Sequence, residues 1–172
     1  MTKKQFAVIV ARIKEELANI SCLQDELTSK GFLKQKQKIR KLPPVSPDSF
    51  TLRGIGSVLH DFYVAVEKVF EIIAREIDEK LPSGGDWHRE LLKQMTVTVP
   101  QVRPAVVTKE TAAQLDEFRA FRHVFRNVYG FNLSAERISD LLTKFPETTK
   151  KFEKELLIFT ETLAEILPDG DD

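Results

Sequence analysis

Between residues 117 and 130 the chain reads Glu117-Phe118-Arg119-Ala120-Phe121-Arg122-His123-Val124-Phe125-Arg126-Asn127-Val128-Tyr129-Gly130. Guanidinium groups at Arg119, Arg122 and Arg126, with the His123 imidazole among them, fall within about two turns of a helix. Arginine offers planar, paired hydrogen bonds to phosphate oxygens, so a phosphodiester is the substrate chemistry that these types and spacings suit. At about 100° per residue, Phe118, Phe121, Val124, Phe125 and Val128 fall on one side of such a helix, and Arg119, His123, Arg126 and Asn127 on the other. Arginines on exposed stripes are also commonly solvated or paired with acids such as Asp116, Glu117 or Glu136, and that reading stays open from the residues alone.

Arg122 and Asn127 are five positions apart, which on a regular helix separates them by about 140° in projection. They should not converge within one straight helix, so a site using both must be shared by two chains or opened by a distorted turn. Asn127 donates and accepts hydrogen bonds but does not titrate near neutral pH. Tyr129, seven positions after Arg122, returns to nearly the same azimuth if the helix continues that far.

The other reactive side chains carry weaker signals. Neither His60 nor His88 has a second His or a Cys at metal-ligand spacing, so helix surface or core hydrogen bonding is the better reading of both. Cys22 is the single cysteine, which excludes an intramolecular disulfide, and its neighbours Ile20 and Leu23 suggest a small core filler. Gly54 and Gly56 suit close helix packing better than a phosphate-cradling loop. No metal site and no cofactor are expected.

The elements that must position these residues are helices. In the first segment, residues 3 to 28, Phe6, Ile9, Ile13, Leu17, Ile20, Leu23 and Leu27 recur at steps of three and four, and Gly31 is placed to end it. Six basic residues from Lys30 to Lys41 and then Pro43, Pro44 and Pro47 mark a basic, Pro-rich connector over residues 30–48. Asp48 or Ser49 can cap a second helix of about thirty residues carrying Leu52, Ile55, Leu59, Phe62, Val66, Val69, Ile73 and Ile77. A short third helix follows Asp86. Pro100 and Pro104 favour an extended connection over a strand between Val97 and Val107. The fourth helix is expected from Thr108 to Gly130 with Leu115, Phe118, Phe121, Phe125 and Val128 inward, and a fifth from Ser134, interrupted at Pro146. The composition, with 42% hydrophobic residues, 30% charged residues and seven Gly, suits helices packed on one another. The expected fold class is therefore all-α, an antiparallel bundle of about five helices forming a single domain over residues 1–172, with an acidic, frayed tail at 168–172. Lys plus Arg and Asp plus Glu balance at 26 each, so any nucleic-acid contact must come from local charge. With no secretory or membrane-spanning pattern, the cytoplasm is the expected compartment.

The segment from Arg122 to Tyr129 resembles the motif of HEPN proteins, written R-x4-6-H, and in particular the R-x4-H-x-Y form of HepT-type toxins. Arg122 matches the arginine, His123 the polar residue that often follows it, and Tyr129 the tyrosine two positions beyond the histidine; Asn127 stands where that histidine belongs. The similarity extends through Leu52-Arg53-Gly54-Ile55-Gly56, Asp61-Phe62-Tyr63, Asp86-Trp87-His88-Arg89-Glu90-Leu91-Leu92 and Arg137 to Phe145.

The resemblance implies a HEPN-like bundle that dimerises through its motif-bearing helix, and a metal-independent endoribonuclease acting on RNA, with tRNA as the implied class. Arg122, His123 and Asn127 would be its catalytic positions, and Arg119 and Arg126 would bind RNA. The implied partner is an MntA-type nucleotidyltransferase antitoxin that adds AMP to Tyr129, where bulk and phosphate charge beside Arg122 would block an RNA phosphate. Losing a general acid or base commonly costs roughly 10²–10⁴ in rate, so Asn127 predicts weak or absent cleavage unless His123 substitutes. A catalytically inactive RNA- or partner-binding module and a structural assembly subunit are the alternatives.

Overall fold

The structure is a computed structural model, and it describes residues 1–33, 48–127, 129 and 132–166. Five helices follow one another: α1 (Lys3–Ser29), α2 (Ser49–Glu76), α3 (Trp87–Met95), α4 (Lys109–Asn127) and α5 (Ala135–Ile166). The greater part of the expected basic connector, the acidic tail, Val128 and Gly130 lie outside the described residues.

Helix boundaries follow local chemistry. Thr2 and Gln5 cap each other's backbone at the start of α1. At its end Gly31 takes φ 77°, and Gly31 N and Phe32 N donate to the carbonyls of Thr28 and Leu27. That pattern satisfies the last carbonyls and favours glycine at the left-handed position. Asp48 accepts from Thr51 N to open α2. Thr108 caps α4, accepting from Thr111 N, and is itself held by the Glu155 carboxylate of α5.

Ion pairs give the helix directions. Arg12 meets Glu76 and Glu16 meets Lys68, so α1 and α2 run antiparallel. Glu110 meets Lys151 while Glu117 meets Lys144 and Arg137, so α4 and α5 do too. Ring contacts from Phe62 to Phe145 and from Phe70 to Phe152 make α2 and α5 parallel. The seven apolar α2 positions expected inward are buried, as is Ile77, which caps the helix end. α2 packs against each of the other four helices, and that is why its buried arc is so wide.

Some expectations change. Pro146 does not interrupt the last helix but lies inside α5. Buried Phe145 on one side and Thr148, Thr149 and Phe152 on the other hold both halves against the core, so tertiary packing overrides the missing N–H. Cys22 is exposed rather than a core filler. It sits about 200° around the helix from Ile20, opposite the buried face. Val124, which falls on the phenylalanine side of α4 in projection, is half exposed. Its azimuth falls about 180° from that of Leu115, outside the arc of Phe118 and Phe121. Gly54 has open space around it and does not serve close packing.

The Val97–Val107 segment is not a strand, but neither is it extended throughout: it turns back on itself at Pro100–Val102, where Val99 and Arg103 form an isolated bridge. Arg103, whose side chain is fully buried, fixes it. Its Nε and Nη2 bind both carboxylate oxygens of Asp78, and Nη1 donates to the carbonyls of Val97 and Pro104. Nothing in the local sequence pattern singled out this arginine.

Candidate functional site

Arg122 points into the bundle. On the α4 wheel its azimuth lies between those of Leu115 and Phe118, so the helix that buries those side chains also carries the guanidinium inward. There Arg122 Nη2 lies 3.2 Å from Oε1 of Glu67, with 14% and 6% of the two side chains exposed. The other carboxylate oxygen of Glu67 is 2.5 Å from Nδ1 of His88, at the start of α3. One buried carboxylate thus joins the arginine of α4 to the imidazole of α3. A buried charge must be paired, and Glu67 has a partner on each oxygen.

The surroundings are polar and confined. Tyr63, one turn before Glu67 on α2, is almost wholly buried. Burial and then the Glu67 charge hold its hydroxyl pKa far above the ordinary value of 10, so it remains a protonated phenol. Arg119 Nε donates to Asp116 at 2.6 Å, and that hydrogen bond raises the arginine's pKa. Arg119 is therefore paired with an acid, as the residues alone left open. Arg122 Nε is buried with no hydrogen-bond partner among the described residues. The ring planes of Trp87 and His88 overlap, with centroids 3.7 Å apart.

The remaining motif residues lie elsewhere. His123, Arg126 and Asn127 are exposed; His123 and Asn127 lie about 100° and 140° around the helix from Arg122, and Arg126, one turn on, lies within about 40° of it. Asn127 Nδ2 donates to the His123 carbonyl at 2.7 Å, folding the amide back onto its own helix. Arg122 and Asn127 do not converge, as their spacing requires. Tyr129 lies outside α4 (Lys109–Asn127) and is not helical, so the seven-residue return that would have aligned it with Arg122 does not apply. Tyr129 is 77% exposed.

Behind the motif, Gly56 allows α2 and α4 to approach. A Cβ there would meet Phe125 Cε2 at 2.7 Å, which is the close packing expected of this glycine. His60 bonds Asp61 at 2.8 Å and rests its ring 5.5 Å from that of Phe125, so it is a helix-surface histidine in a hydrogen bond. Among the described residues no group of three or more His, Cys, Asp or Glu could hold a metal ion, and no helix is long and apolar enough to cross a membrane.

Glu67 was missed by reading the motif alone. Its signal was its place on the wheel: unlike Glu71, Glu67 shares the azimuths of the apolar Tyr63, Phe70 and Ala74, where a buried charge demands a partner. His88 was read as a hydrogen-bonding residue, and it is one; that its partner would also hold Arg122 was not visible along the chain.

Four helices packed on a central α2, with Arg122 of α4 buried against it, make an all-α HEPN-like bundle. A family model described as HepT-like protein matches residues 54–163, and the chain belongs to that family. No curated protein and no solved structure matches the chain.

Proposed function

We propose that this chain is the RNA-acting toxin subunit of a HepT-type toxin–antitoxin pair, with tRNA as the substrate class. The observation that carries the reading is the buried ion pair between Arg122 and Glu67. A motif arginine is held in a fixed place by a second helix, with Arg119 beside it, and a guanidinium so oriented can bind a phosphate and stabilise charge that develops on it. Arg126 and His123 add exposed positive or polar groups along the same helix. A second copy of the chain, docked through α4, would bring another set of motif residues to one cleft. Exposure of Tyr129 suits AMP transfer by an MntA-type nucleotidyltransferase, and such a pair would act in the cytoplasm.

A second reading, a binding module that has lost catalysis, is favoured by one specific observation. The Asn127 amide is spent on its own helix and does not titrate, so position 127 supplies no proton transfer.

Total tRNA incubated with the wild-type chain, Arg122→Lys and Asn127→His separates these readings. Cleavage by wild type or by N127H, lost in R122K, supports the toxin reading. Salt-sensitive tRNA binding without cleavage by either protein supports the binding module. Absence of both binding and cleavage overturns the RNA reading altogether.

A further inference from the structure

Residue 127 has no titratable group, yet an imidazole does stand beside the motif arginine. We infer that His88, from α3, is the proton carrier of this site and takes the role that the chain's motif leaves empty. The inference rests on the RNA reading above and adds to it a catalytic residue outside the motif.

Three features of the structure support it. First, His88 and Arg122 are bound to the two oxygens of one carboxylate, so Glu67 fixes the imidazole and the phosphate-binding guanidinium in a common frame. Second, Nδ1 of His88 faces the Glu67 carboxylate, which selects the tautomer with the proton on Nδ1 and leaves Nε2 as the basic nitrogen. Nε2 has no hydrogen bond among the described residues, the side chain is 25% exposed, and the Trp87 ring against it limits rotation. A carboxylate, an imidazole and an outward nitrogen in this order form the arrangement by which a buried acid orients a general base. Third, a cleft of about 530 Å³ runs between α3 and α4, beginning one residue after His88, and is lined by Arg89, Lys93 and Lys109. Its wall includes Asp116, the partner of Arg119. Glu90 also lines the cleft, but its cations outnumber its acids; Arg89 adjoins His88 in sequence and Asp116 holds Arg119, so the cleft borders the site on both helices.

The step balances without metal or redox chemistry. His88 Nε2 takes the proton of a ribose 2′-hydroxyl, the 2′-oxygen bonds to the adjacent phosphorus, and the bond from phosphorus to the 5′-oxygen breaks. The imidazolium returns its proton to the departing 5′-oxygen, leaving a 2′,3′-cyclic phosphate and a 5′-hydroxyl. Arg122 stabilises the charge on the phosphoryl oxygens.

The test uses the full chain with total tRNA and, as a control, a DNA oligonucleotide that lacks the 2′-hydroxyl. His88→Gln keeps a hydrogen-bonding group for Glu67 but cannot carry the proton. It is expected to cut tRNA at least about 100-fold more slowly while tRNA binding is retained. His88→Ala is expected to recover cleavage when imidazole is added, a result that a merely structural histidine would not give. Wild-type cleavage of tRNA that survives unchanged in H88Q overturns the His88 assignment and leaves the RNA reading standing. So does a wild-type chain that binds tRNA without cutting it. A wild-type chain that neither binds nor cuts removes the RNA reading, and His88 with it.

Discussion

Arg122 of α4 and Glu67 of α2 are each other's ionic partner inside the bundle, 3.2 Å apart and largely shielded from water. A residue whose motif implies a catalytic cation is therefore also part of the α2–α4 interface. Removing one member of a buried pair leaves the other charge stranded, which commonly costs roughly 3–5 kcal/mol. Since His88 still faces Glu67, Arg122→Ala is expected near the lower end, about 3 kcal/mol, in urea unfolding. In a Glu67→Gln background the same substitution should cost less than half as much. Equal costs in both backgrounds would mean that the two residues are not coupled. Loss of activity in R122A alone therefore cannot be read as catalysis until the fold has been measured.

The two glycines of α2 should respond in opposite directions. A methyl at Gly56 meets the Phe125 ring at 2.7 Å, so Gly56→Ala is expected to destabilise by roughly 1–3 kcal/mol, with recovery when Phe125→Leu makes room. Gly54 faces open space, and Gly54→Ala should stabilise by about 0.5–1 kcal/mol through reduced backbone freedom in the unfolded chain. Thermal melts of the two single variants and the G56A/F125L pair check both signs.

Arg103→Ala is expected to cost roughly 3–5 kcal/mol, because it strands Asp78 and frees the carbonyls of Val97, Pro104 and Gln94. Arg103→Lys should restore little, since an ammonium cannot reproduce the fork. Hydrogen exchange at Val106, whose N–H donates to the Met95 carbonyl, should speed up in both variants. Unchanged protection would show that the connection is held by something else.

Acid should weaken the α4–α5 contact through Glu117. Lys144 first, and Arg137 after it, hold its carboxyl below the ordinary 4.5, against a smaller opposing effect of burial. A depressed folded-state pKa contributes stability that is present above the ordinary value and is lost as pH falls through the folded one. The pair is partly exposed, so its worth is about 0.2–1 kcal/mol. Between neutral pH and pH 3 the melting temperature of wild type should therefore fall more than that of Glu117→Gln. Parallel curves would contradict this.

Helix order and burial were legible along the chain because one period, repeated from Phe6 to Ile77 and again from Leu115 to Phe121, carries both. The reading failed where a residue's neighbours in sequence differ from its neighbours on the helix wheel. Cys22 lies between apolar residues yet opposite their face, and Val124 lies among phenylalanines yet outside their arc. Pro146 was read by its local cost, which the packing of α5 outweighs. The site shows the same division. Arg122 and its spacing to Asn127 could be read directly, but Glu67 lies 55 positions earlier and His88 on a third helix, and no local pattern connects charges that far apart. The wheel did contain a warning, since Arg122 shares the azimuths of Leu115 and Phe118.

The family-shared stretch begins at Gly54, well after α1 has ended. Yet α1 lays Phe6, Ile9, Ile13, Ile20 and Leu27 against the rest of the bundle, touching α2 and α5. It works as a sheath: it keeps dry an oily strip of the shared stretch that would otherwise face water. A fragment trimmed to the shared stretch would carry that strip uncovered, and copies of it would adhere to one another through the bared side, a self-association that has nothing to do with α4 or its motif.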